Sequence, residues 1–168
     1  SKFIISEYAI SCREQGNRGT CAAFVGSTIK EIQNMQFMQT YNSTKNIKSY
    51  DSSPKNISVE DSIVGSNNQS YMEYMSPEFI YYHRSNKPLH GMSGKDVLRV
   101  LKEIGSVPEK LYPYLVNDSM ISAPADYLYA VAANYKIGGF AKVTTVMGLK
   151  NAIVDMLPGY ILLPAYNS

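Results

Sequence analysis

The sequence predicts an α+β chain, and three observations carry that prediction. Apolar residues recur at helical spacing through the first two thirds. Helix start and stop signals punctuate those stretches, at Thr20, Ser76 and Gly105. Strand-like runs come only near the end, at "KIGGFAKV" and "YILLPAY". Helices first and strands later, without alternation, is the α+β order.

The elements follow along the chain. Residues 1–14 read as an irregular or extended segment. Gly16 and Gly19 allow a tight loop, and Thr20 is placed to cap the helix that follows. From Cys21, Phe24, Ile29, Ile32, Met35 and Met38 recur at roughly helical spacing, which predicts a long helix over about 21–39. Residues 40–70 are rich in Asn, Ser and Lys and lack periodicity, as in a long surface insertion. "MSPEFIYYHRSN" restores order, with Ser76 as N-cap, Pro77 in the first turn and Glu78 at the positive helix end. In "SGKDVLRVLKEIG", Val97, Leu98, Leu101 and Ile104 share a face, and Gly105 stops the helix. "APADYLYAVAANY" predicts a short helix, "KIGGFAKV" a strand and "TTVMGLKNAIVDM" a capped helix. Pro158 and Gly159 then turn the chain into the strand "YILLPAY". The division is an N-terminal segment (1–14), a helical lobe (15–122) and the beginning of a sheet lobe (123–168). No internal repeat is visible.

Composition narrows the function classes. The 168 residues are 45% hydrophobic and 18% charged, as in an ordinary globular protein. A net charge of +2 argues against nucleic-acid binding, which calls for a clustered basic face. No apolar run approaches the roughly 18 residues of a membrane span. No metal or cofactor is expected. The two cysteines, Cys12 and Cys21, make no disulfide framework and suit a reducing compartment. Asn42, Asn56, Asn68 and Asn117 match the Asn-x-Ser/Thr pattern, but in a chain so rich in Asn and Ser chance matches are expected. With no initiator Met and no signal-peptide pattern, the chain reads as a mature, processed or engineered fragment.

The chemistry concentrates in "QGNRGTCAAF", residues 15–24. A thiol is a good nucleophile only as thiolate, and a helix N-terminus favours that charge. Cys21 sits where the helix begins. The same unpaired N–H groups suit a developing oxyanion, and the Gln15 amide is a second candidate donor. Gly19 leaves room for a substrate backbone beside the thiol. Most cysteines at helix starts, however, are small packing residues, and local chemistry leaves both readings open.

Five segments in order resemble the papain-like (cathepsin-type) cysteine peptidases. Gln15, Gly16, Gly19, Cys21 and Phe24 resemble that family's active-site segment. "MSPEFIYY" (75–82) is similar to its Leu-Ser-Pro helix, and "HGMSG" (90–94) falls where the family has a glycine substrate strip. "GSVPEKLYPY" (105–114) resembles its Tyr-Pro-Tyr segment, and "YILLPAY" (160–166) the strand after its Gly-Pro turn. The resemblance implies a two-lobed fold, with the helical lobe complete here and the β lobe partial. It implies Cys21 as nucleophile, Gln15 as oxyanion donor, Gly19 beside the thiol, and Gly91 and Met92 as the strip that pairs with a peptide substrate. It also implies a propeptide, and it allows a lysosomal or secreted setting besides a reducing one.

The sequence departs from the family at three places. Arg18 stands where many relatives carry a disulfide-bonded cysteine, and Ala22 where relatives usually carry Trp. The family's general-base His and its orienting Asn lie downstream of the "YILLPAY"-type strand, and neither His83 nor His90 matches that base. His90, just before the glycine strip, is expected near the cleft rim. The expected function is peptide-bond hydrolysis through a Cys21 acyl-enzyme, with the base His on a separate C-terminal chain or segment that completes the fold. The alternative is a catalytically inactive papain-like protein that binds peptides or a partner.

Overall fold

The computed structural model describes residues 12–48, 73–116, 122–155 and 157–161. Five helices follow one another: α1 (Cys21–Lys48), α2 (Pro77–Tyr82), α3 (Gly94–Glu103), α4 (Tyr127–Ala133) and α5 (Val146–Val154). A short 3-10 turn, Glu109–Leu111, separates α3 from α4. α1, α2 and α3 pack against one another.

α1 is the central element. Its inner face offers Ala22, Ala23 and Gly26, small residues that let neighbouring helices come close, together with Ile29. A Cβ on Gly26 would lie 2.4 Å from Val97 Cγ1, so the contact with α3 requires glycine there, while Ile80 Cδ1 at 3.6 Å would be in ordinary contact. Around it Ile80, Tyr81, Val97, Val100, Leu101 and Ile137 form one buried cluster. Each fully buried aliphatic side chain of this kind contributes about 1.5–3 kcal/mol. A second cluster joins Phe79, Val107, Leu128 and Ala132, and so holds α4 against α2.

The caps read from the sequence at α2 and α5 form, and the structure adds one at α3. Ser76 Oγ accepts from Phe79 N at 3.0 Å, with Pro77 opening α2. Ser93 Oγ accepts from Asp96 N at 3.1 Å, and Thr145 Oγ1 from Gly148 N at 3.0 Å. Thr20 differs. Its carbonyl takes the first helical bond of α1, from Phe24 N at 3.1 Å, while its buried hydroxyl turns to the Tyr114 hydroxyl at 2.7 Å.

Three other expectations meet a different structure. α1 runs past residue 39 to Lys48, into the segment read as an insertion. Its Asn/Ser-rich composition hid a helix that begins within an apolar-periodic stretch and simply continues. Residues 136–143 form no strand. Among the described residues strand pairing is confined to one antiparallel bridge, Met75 with Pro108. A strand needs a partner strand for its backbone groups; among the described residues Ile137 N–H instead donates to the Leu101 carbonyl at the end of α3 (3.1 Å), and no strand lies beside "KIGGFAKV". Residues 160 and 161 are likewise irregular, and the sheet lobe is not shown. The rest of "YILLPAY", residues 1–11, most of the 40–70 segment and Asn56, Asn68 and Asn117 fall outside the described residues, as does the Asn42 side chain.

A buried ion network ties the segment before the loop to the helices. The Arg13 guanidinium donates to Glu31 Oε1 (2.9 Å), Ser27 Oγ (2.8 Å), Glu109 Oε2 (2.5 Å) and the Met75 carbonyl (3.1 Å). Burial pushes the Glu31 carboxyl up, against the opposing pull of Met75 N–H and Arg13.

His83 caps the end of α2. Its Nδ1 lies 2.7 Å from the Phe79 carbonyl, which only accepts, so Nδ1 carries the proton and Nε2 accepts from the Tyr129 hydroxyl at 3.1 Å. Burial pushes the imidazole below its ordinary 6.5, an effect the Phe79 carbonyl opposes and the nearby Lys87 and Arg99 reinforce. The unfolded chain therefore binds this proton more readily than the folded one, and the stability His83 contributes is full above 6.5 and lost as pH falls below it. Urea-unfolding midpoints of the wild type and His83→Gln are expected to converge between about pH 7.5 and about pH 5. A gap between them that stays constant with pH contradicts the assignment.

Candidate active site at the head of α1

Cys21 is the first residue of α1 and is exposed, whereas Ala22 and Ala23 after it are buried. The helix thus presents the thiol to solvent from a rigid, packed base. The N-terminal end of α1 carries the positive pole of the helix dipole and its unpaired N–H groups. Both cysteines are free thiols.

The loop before Cys21 is fixed at two points. At one, the Tyr114 hydroxyl donates to the Gln15 carbonyl at 2.8 Å. Its single proton is then used, so the Thr20 hydroxyl is the donor in their 2.7 Å contact. Phe24 meets the Tyr114 ring edge-on, with centroids 4.7 Å apart. At the other point, the Arg18 guanidinium grips Glu78 in a two-pronged pair, Nη1 to Oε2 at 2.5 Å and Nη2 to Oε1 at 2.7 Å. Nη1 also donates to the Leu115 carbonyl at 2.5 Å, and Leu115 N–H returns to Glu78 Oε2 at 3.3 Å. The sequence placed Glu78 at the positive end of a helix. The structure buries it to 1% exposure, which is tolerable because Arg18 and Leu115 satisfy its oxygens.

Gln15 folds back on this loop, its Nε2 donating to the Arg18 carbonyl at 2.6 Å. One amide proton is thereby engaged, and the second remains for another acceptor. Gly19 lies against the glycine strip, where a Cβ would be 2.9 Å from Gly91 N and 3.9 Å from the carbonyl carbon of His90. His90 is thus close to the loop through its backbone, with its side chain exposed. Gly91 N–H donates to the Tyr81 hydroxyl (3.2 Å) and its carbonyl accepts from Asn86 Nδ2 (3.2 Å). That carbonyl keeps a second lone pair, and Met92 after it packs partly buried against the core.

Tyr160 belongs to the site and was not singled out in the sequence, where it reads as the first residue of a strand. Its ring covers Gly94, whose Cβ would lie 2.5 Å from Tyr160 Cε1. Burial pushes its hydroxyl up, and the neighbouring Cys21 adds to that shift. Gln15 also borders a groove of about 530 Å³ along α1, lined by Cys12, Val25, Ile29, Ile32 and Leu157 among others. Cys21 lies outside that lining. No cluster of potential metal ligands occurs among the described residues, and no described helix is long and apolar enough to cross a membrane.

No family model matches the chain, and no curated protein matches it in sequence. Among solved structures, the fold is similar to that of xylellain, a cysteine protease from Xylella fastidiosa. The TM-score is 0.58 at 22% identity, over 86% of this chain and 49% of the other. The chain thus spans about half the length of that protease. The fold is that of a cysteine protease structure, represented here by its helical part.

The Gly19–Gly91 contact is directly testable. Gly19→Ala forces the loop and the strip apart and is expected to lower stability by about 1–3 kcal/mol in urea unfolding. An unchanged midpoint contradicts the close approach.

Proposed function

We propose that this chain carries the nucleophile half of a papain-like cysteine peptidase. The observation that carries the reading is an exposed Cys21 thiol at the head of a buried central helix, in a fold similar to that of a cysteine protease. Cys21 Sγ attacks the carbonyl carbon of a peptide bond. The oxyanion is held by Cys21 N–H and the free proton of Gln15 Nε2. The C–N bond breaks as an imidazolium gives its proton to the leaving amine, and water then hydrolyses the thioester. Gly19 leaves space for the substrate beside the thiol, and the strip at Gly91 and Met92 runs along its backbone.

In this reading the imidazole comes from a further segment or chain that completes the sheet lobe. Both ring nitrogens of His83 are engaged, with Phe79 and Tyr129, which removes it as a candidate. Apolar side chains left exposed on and around α5, Val146, Met147, Ile153 and Leu157, are the surface such a lobe would cover. A second reading, a peptide-binding protein without activity, is favoured by Ala22, which leaves no bulky ring to exclude water beside the thiol.

A peptidyl epoxide distinguishes the two. In the full-length protein it is expected to alkylate Cys21 stoichiometrically and spare Cys12, as read by peptide mass spectrometry. Cys21→Ala is expected to lose peptide hydrolysis by more than about a thousandfold. An unlabelled Cys21 in a folded protein that still binds peptides supports the inactive reading and overturns the peptidase.

A further inference from the structure

We infer that Glu78 is a positioning residue for the oxyanion loop, acting through Arg18 on the side chain of Gln15. The inference rests on the peptidase reading for its catalytic meaning, though not for its geometry. Arg18 is anchored at one end and aims a neighbour with the other. Its guanidinium is locked by Glu78, 1% exposed on α2, and by the Leu115 carbonyl. It lies 4.9 Å from the Tyr114 ring centroid and 5.6 Å from that of Tyr81, so aromatic faces close the remaining directions. Its carbonyl accepts from Gln15 Nε2 at 2.6 Å and from Thr20 N at 2.8 Å. Those two bonds fix the direction of the Gln15 amide and the turn that delivers Cys21.

The pair occupies the position at which the sequence resemblance places a disulfide cysteine. A two-pronged guanidinium–carboxylate pair supplies direction as well as attraction, which a single charge does not. It also keeps the loop tied to the helical core where a disulfide would be reduced. Because Glu78 is out of solvent and Arg18 nearly so, with 14% of its side chain exposed, added salt screens the tie little.

The test compares Glu78→Gln with Leu128→Ala, a core change on α4 in the other buried cluster, in the full-length protein. Glu78→Gln is expected to lower kcat for a peptide substrate about tenfold or more with KM within about twofold. Leu128→Ala is expected to lower stability without moving kcat. In parallel, the Gln15 side-chain amide resonances are expected to shift and lose exchange protection in Glu78→Gln while those of α3 hold. If Glu78→Gln does not fold, Arg18→Lys, which keeps the charge and loses the fork, carries the same comparison. A folded variant with wild-type kcat and wild-type Gln15 amide resonances overturns the inference. If the wild type cleaves no peptide, the peptidase reading fails by itself, and the Gln15 resonances alone decide the positioning role.

Discussion

The close approach of α1 to its neighbours at Gly26 is the constraint on which the rest of the structure depends. With a side chain there, Val97 could not reach the helix, and the cluster of Ala22, Ala23, Val97, Val100 and Leu101 would open. Because that cluster holds the first turns of α1, it fixes where the helix begins. Cys21 is exposed at a fixed point for this reason, its two following residues being buried in the cluster.

A rigid helix end is not yet a site; the loop that leads into it must be held as well. Three ties do so from three parts of the chain. Arg13 reaches back to Glu31 within α1 and Glu109 after α3. Arg18 reaches Glu78 on α2. Tyr114 joins Gln15 and Thr20. Each places a charged or polar group in a site with little solvent, where its desolvation is offset by several hydrogen bonds. None depends on a disulfide, consistent with two cysteines that are both free.

Features governed by local rules were legible in the sequence. The apolar spacing from Phe24, the Ser76–Pro77 start and the Gly105 stop each express short-range geometry, and the helices lie where those signals put them. The position of Cys21 at a helix head was legible for the same reason. What was not legible depends on distant partners. The burial of Glu78 follows from Arg18, which lies 60 residues earlier, and a Glu in a first helical turn otherwise reads as solvated. Tyr160 joins the site by folding over Gly94, a contact without sequence periodicity. "KIGGFAKV" has strand composition, but pairing decides whether a strand forms.

The arrangement also separates two roles along α1. Its head presents the thiol beside Gly19, Gly91 and Tyr160. Further along the helix, Val25, Ile29 and Ile32 border the groove that Gln15 and Leu157 also line. The central claim, that the packed head of α1 presents Cys21 as a nucleophile, is tested most directly by the iodoacetamide alkylation rates of Cys21 and Cys12 in the full-length protein at neutral pH. The account predicts that Cys21 reacts at least about tenfold faster than Cys12 and that the difference disappears in urea. Equal rates at the two cysteines in the folded protein would contradict it.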